Sequence, residues 1–179
     1  KPHAESGDAA LAIETLLKEG VNVSPGGVEK LTAQIDKLDA ALTKAIGTSQ
    51  ADVSTLGIIT KIQEATKRFK DGLEHATAPE MVREQMLKFF DNPQVQQAFQ
   101  IPAELAQRMK REIYREVGDK GYGIGLKPDA ERQGKKAVAL GLKEGLERAV
   151  TEAAEANKTM GPLINARDLA QDRVNSWGN

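Results

Sequence analysis

Val28, Leu31, Ile35, Leu38, Leu42 and Ala45 stand at spacings of 3, 4, 3, 4 and 3. Side chains at that period share one face of an α-helix and would be scattered over both faces of a strand. The run therefore demands a helix with a narrow apolar seam. Its flanks agree. Ser24 before Pro25 is an N-cap with proline at the first helical position, and Gly47 supplies a stop. A second run, Leu56, Ile59, Ile62, Thr66, Phe69 and Leu73, repeats the period behind Ser49 or Asp52 as cap and reaches about Ala76. Short loops join antiparallel neighbours, so the two seams are expected to form a hairpin roughly 35 Å long at the helical rise.

Punctuation extends this reading along the chain. A first helix is expected from Asp8 to Glu19, with Leu11, Ile13, Leu16 and Leu17 as its apolar side and Gly20 as its end. Pro79, Pro93 and Pro102 each stand where a helix can open, giving helices over 79–91, 93–99 and 102–117. The glycine cluster 118–125 follows. A helix from Pro128 or Asp129 to about Ala156 and a last one opened by Gly161-Pro162 complete the set. With 24 Ala, 16 Leu and few β-branched runs, no segment reads convincingly as a strand. The expected fold is all-α, about seven helices in antiparallel hairpins, with elongation left open. The expected division is a hairpin region over 1–100 and a second helical region over 101–179, unless the two merge into one domain.

Composition removes several chemistries. The chain has no Cys, which excludes disulfides, thiol catalysis and cysteine-bound zinc. His3 and His75 are its two histidines, and neither has a carboxylate at helical metal-site spacing. Lys+Arg total 25 against 26 Asp+Glu, which disfavours coating of nucleic acid by bulk charge. No apolar stretch approaches the length of a membrane span. The start has neither a signal-peptide core nor an initiator Met, so a processed product or a piece of a longer chain is expected.

Five features could carry function. Gly121-Tyr122-Gly123-Ile124-Gly125 has the glycines of a phosphate loop but neither the preceding strand nor the Gly-Lys-Ser/Thr. A helix stop with Tyr122 packed beneath it is the simpler reading. The acidic pairs Asp36/Asp39, Glu112/Glu116 and Glu144/Glu147 stand among Lys and Arg and read as solvated faces. Arg108, Arg111 and Arg115 share a helix side near Lys110, and Lys127, Arg132, Lys135, Lys136 and Lys143 form a second basic run. These could meet a phosphate backbone, although interspersed glutamates favour ion pairing. Gly134, Gly141 and Gly145 lie on one stripe with Val138; each costs a helix about 1 kcal/mol relative to Ala. Close approach of another helix explains them, within the domain in preference to between subunits. Tyr114 stands on the Arg-bearing helix.

Spaced motifs in the C-terminal half carry a resemblance. They are Lys110-Arg111-Glu112-Ile113-Tyr114, then Gly118-Asp119-Lys120-Gly121-Tyr122-Gly123, then Gln133 to Leu142, then Asn157 and Leu163-Ile164-Asn165-Ala166. Over about 105–170 the chain resembles a helical segment of large phage- and prophage-encoded virion-associated proteins. Ile124-Gly125 departs from that pattern. The resemblance implies a non-enzymatic structural module of a virion or ejection apparatus, in the particle or in the host cytoplasm during assembly. It would need no cofactor or metal and would associate with itself or other virion proteins; nucleic-acid contact is the alternative. The residues expected to matter are Tyr114, Tyr122, Gly141 and Gly145 by packing, and Arg108, Arg111, Arg115, Lys135 and Lys136 by charge.

Overall fold

The computed structural model describes residues 6–70, 77–119 and 126–177, with side chains over 10–67, 77–118 and 129–176. Among them are seven helices and one two-stranded sheet: α1 (Ser6–Lys18), α2 (Pro25–Ser49), β1 (Asp52–Ser54), α3 (Leu56–Lys70), α4 (Ala78–Phe90), β2 (Gln100–Pro102), α5 (Ala103–Asp119), α6 (Leu126–Ala149) and α7 (Thr151–Trp177). The molecule is all-α apart from that sheet. Its contacts divide it into two compact units, 1–45 with 152–179, and 46–151. This differs from the expected break near residue 100, because helices from both ends of the chain share one core.

That shared core holds Leu16 of α1, Val28, Leu31 and Ile35 of α2, and Leu163, Ala166 and Ala170 of α7. The α2 seam was expected to close on α3; at Leu31 and Ile35 it closes instead on α1 and α7. The α1–α2 connection is fixed by local chemistry. Gly20 takes φ +59, the left-handed conformation that favours glycine. Val21 N donates to Leu16 O and Gly20 N to Leu17 O, so two otherwise orphaned carbonyls are satisfied. Val21 and Leu16 then pack in the same core. Ser24 caps α2 as expected: its Oγ accepts from Gly27 N at 3.1 Å. A Cβ on Gly27 would run into the Asn22 carbonyl, so this tight entry admits no side chain there.

In the second unit α6 is the hub, with α3, α4, α5 and β1 packed on it. Its buried residues span more than one face: Ala130, Ala137, Val138, Ala139, Leu142 and Leu146 are all at most 5% exposed. The predicted helix starting near Asp52 gives way to β1, which pairs antiparallel with β2 through Val53 and Ile101. Both side chains are buried. Thr55, fully buried, continues the tie: its N–H donates to Phe99 O and its Oγ1 to Ala98 O at 3.0 Å.

Three further expectations are corrected. Residues 93–99 form turns, not a helix; Gln96 and Gln97 both have positive φ, which a right-handed helix cannot contain. Helix α6 ends at Ala149, and after Val150 α7 runs unbroken to Trp177 with Pro162 inside it. Proline's ring crowds the Cβ of the preceding residue in a helix, and Gly161 has none. Tyr122, the glycine loop over 120–125, His3 and His75 lie outside the described residues, as does the side chain of Phe69.

Candidate functional site

Among the described residues of the second unit are surface grooves, and two of these have a volume of about 270 Å³ each. Both are smaller than the usual range of ligand pockets, roughly 300–1,000 Å³. The first lies between α4, α5 and α6 and is the one closest to the expected site residues. Its apolar floor comes from Phe89, Met109, Ile113 and Val138. Phe89 is held by an edge-on contact with Phe90, ring centres 5.2 Å apart. Gln85 also lines it, buried from solvent, and its Nε2 reaches Met81 O only at 3.5 Å, the weak limit of a hydrogen bond.

The rim is charged and largely self-neutralised. Lys135 Nζ meets Glu116 Oε2 at 3.0 Å, tying α5 to α6, and Glu131 Oε1 at 3.2 Å. Burial acts to lower the Lys135 pKa, but these two carboxylates outweigh it and raise the value above the ordinary lysine range. Lys88 pairs with Glu84 at 3.0 Å. On the α3 side, Lys61 bridges Glu144 at 2.9 Å and Glu64 at 3.3 Å, and those bonds raise its pKa. General acid–base chemistry needs carboxylates converging in a dry pocket; Glu112 and Glu116 are both exposed. Among the described residues no three metal-capable side chains gather, and no helix is long and apolar enough to cross a membrane.

The expected residues separate into three groups. Gly141 and Gly145 are interior. A Cβ on Gly141 would lie 2.6 Å from Ile58 Cα, and one on Gly145 would lie 2.6 Å from Val53 Cγ1 and 2.9 Å from Ser54 O. Gly134 meets α4 in the same way, at Gln85 and Val82 O. One glycine stripe thus admits three elements of the same unit, which is the intradomain role weighed above. Among the described residues, most of the basic side chains are engaged or at least partly buried. Arg108 donates to Gln94 at 2.9 Å, Lys135 is pinned as described, Lys143 approaches Glu147 at 3.8 Å, and Lys110 is buried. Arg111 is half-buried; Arg115 is exposed. Lys136 is half-buried, and burial together with the neighbouring Arg132 charge lowers its pKa. Tyr114 is 43% exposed, and its phenol pKa is raised by partial burial and by the Glu147 charge.

Sequence reasoning missed Gln85 and the Thr55 tie. Neither had a signal: an isolated Gln within a helix and a Thr beside a three-residue strand look like any surface position. A scan against protein-family models matches none, and searches of curated proteins and of solved structures find no significant match.

Proposed function

We propose that this chain is a non-enzymatic structural module that works by helix packing, as a component of a phage virion or ejection apparatus. It associates with itself or with other virion proteins, in the particle or in the host cytoplasm during assembly. The motif resemblance over about 105–170 supports the setting. One observation carries the mode of action. Large apolar side chains stand in solvent, Leu17 at 78%, Phe99 at 63% and Leu87 at 56%, while charged side chains beside the grooves pair with one another. Exposed apolar side chains of this size are typical of surfaces that meet partners when they gather into patches.

The test is proteomic. Particles purified through a density gradient should carry this chain at a fixed copy number. Recovery only from the soluble lysate would overturn the virion reading. Retention on DNA at low salt, falling steeply as salt rises, would instead favour contact through the basic runs over 108–115 and 127–143.

A further inference from the structure

We infer that α1 pairs antiparallel with α1 of a second copy of this chain. This deepens the packing reading above and rests on it. Helix α1 is apolar on two opposite sides. Ala12, Thr15 and Leu16 are buried in its own unit, at 2%, 8% and 6% exposure. Ile13 and Leu17 point the other way at 52% and 78%; Leu11, at 45%, stands on a different side. At 100° per residue, Ala10, Ile13 and Leu17 form one line along the helix, spaced i, i+3, i+7. A helix apolar on both sides is ordinarily covered on both. Three of the eight large apolar side chains standing in solvent among the described residues lie on this one thirteen-residue element.

The charges beside the line select the occupant. Glu14 and Lys18 lie next to it, one turn apart, and neither has an ion-pair partner among the described residues. A second α1 laid antiparallel, with the twofold axis near the middle of the 13–18 turn, interleaves Ile13 and Leu17 with their counterparts. It also brings each Glu14 beside the partner's Lys18, twice over by symmetry. Parallel pairing would set the Glu14/Lys18 flank against the opposite flank of the partner helix, so the charge match exists only in the antiparallel arrangement. A twofold contact of one surface with itself is the commonest oligomer geometry. The helix is only about 20 Å long, so the patch is smaller than a standard interface. The contact is accordingly weak alone and gains strength where copies are arrayed.

The test uses the full chain in sedimentation velocity over a concentration series into the high-micromolar range. Wild-type mass should climb from monomer toward dimer. Leu17→Glu should hold the protein at monomer mass with an unchanged melting curve, since Leu17 is largely exposed. Glu14→Lys and Lys18→Glu should each weaken the dimer, and the double exchange should restore it. Because the chain has no Cys, Glu14→Cys and Lys18→Cys report orientation cleanly: mixed under mild oxidation, the two variants should form a disulfide-linked heterodimer in preference to either homodimer. A wild type that stays monomeric throughout overturns the inference, and the packing reading then stands or falls on the particle experiment. Association that survives Leu17→Glu overturns the α1 surface but leaves self-packing in place. Preferential homodimer cross-links overturn the antiparallel register.

Discussion

Replacing Gly141 with Ala isolates the reason for the glycine stripe. The added methyl would lie 2.6 Å from Ile58 Cα and 2.8 Å from Ile58 N. Comfortable carbon contacts are about 3.5–4.0 Å, so α3 must retreat by about 1 Å from α6. The obstructing atoms include helix backbone, which no change of rotamer can move. Overpacking of this kind costs about 1–3 kcal/mol, against which alanine's helix propensity returns about 1 kcal/mol. The methyl meets backbone directly, so the cost belongs at the upper end and the net loss is about 1–2 kcal/mol. Gly47 of α2 is the control: a Cβ there meets nothing within 4 Å, so Gly47→Ala should stabilise by about 0.5–1 kcal/mol. Gly134→Ala should fall between, because its nearest neighbour at 2.7 Å is the Gln85 side chain, which can shift, while Val82 O at 2.9 Å cannot. Urea and thermal unfolding followed by helical circular dichroism would rank the three. At about 2–4 °C per kcal/mol for a chain of this size, Gly141→Ala should lower the melting temperature by about 2–8 °C. If it melts at or above wild type while Gly47→Ala gains, α6 has room at Gly141, and close approach is not why glycine stands there.

Three more perturbations test separate links. Thr55→Val keeps the shape of a fully buried side chain but removes the donor to Ala98 O; a loss of about 1–3 kcal/mol is expected in urea unfolding, with Thr55→Ser milder. Gln50, just past the end of α2, has φ +49, so Gln50→Gly should raise the melting temperature, by roughly 0.5–1 kcal/mol of relieved left-handed strain. Lys136 has its folded pKa lowered by burial and by Arg132, so approaching the ordinary lysine pKa from below, the unfolded chain holds more protons and stability rises with pH. Lys136→Met should remove that rise and melt no lower than wild type near neutral pH. Lys61 and Lys135 are shifted upward, and their contributions are lost only above the ordinary lysine pKa. Tyr114, also shifted upward, loses its contribution above the ordinary tyrosine pKa. Melts from about pH 8 to about pH 9 therefore read Lys136 alone among these shifted groups.

Much of the helical content was legible because it is written locally. The Ser24-Pro25 cap, the Gly20 stop and the 3-4 spacing of α2 are each decided within a few residues, and the structure keeps all three. Choice of partner was not legible. Leu31 and Ile35 present the same seam to any apolar helix, and only the folded chain reveals that Leu163 and Ala166 fill it. The strands were invisible for another reason: three residues each, paired across some fifty positions, they have too little length for period-2 alternation to register. Pro162 misled because proline usually opens a helix, yet here α7 runs through it, with Gly161 removing the one contact that a preceding Cβ would add. At the groove, Lys135 and Glu116 were both noted in the sequence, but nothing in the spacing of 116 and 135 foretold that they would meet.

The first unit joins two stretches far apart in sequence, 1–45 and 152–179, and this fixes an order of events during synthesis. Leu31 and Ile35 emerge early, but Ala166 and Ala170, which complete their core, follow about 135 residues later. At roughly 5–20 residues per second, that is a wait of about 7–27 s. Residues 46–151 are contiguous and can finish folding in the interval, because every segment they need has already emerged. The nascent chain therefore carries an open apolar seam throughout that time. Removing α7 would make the exposure permanent, turning a transient hazard of translation into a lasting site for chaperones and for aggregation.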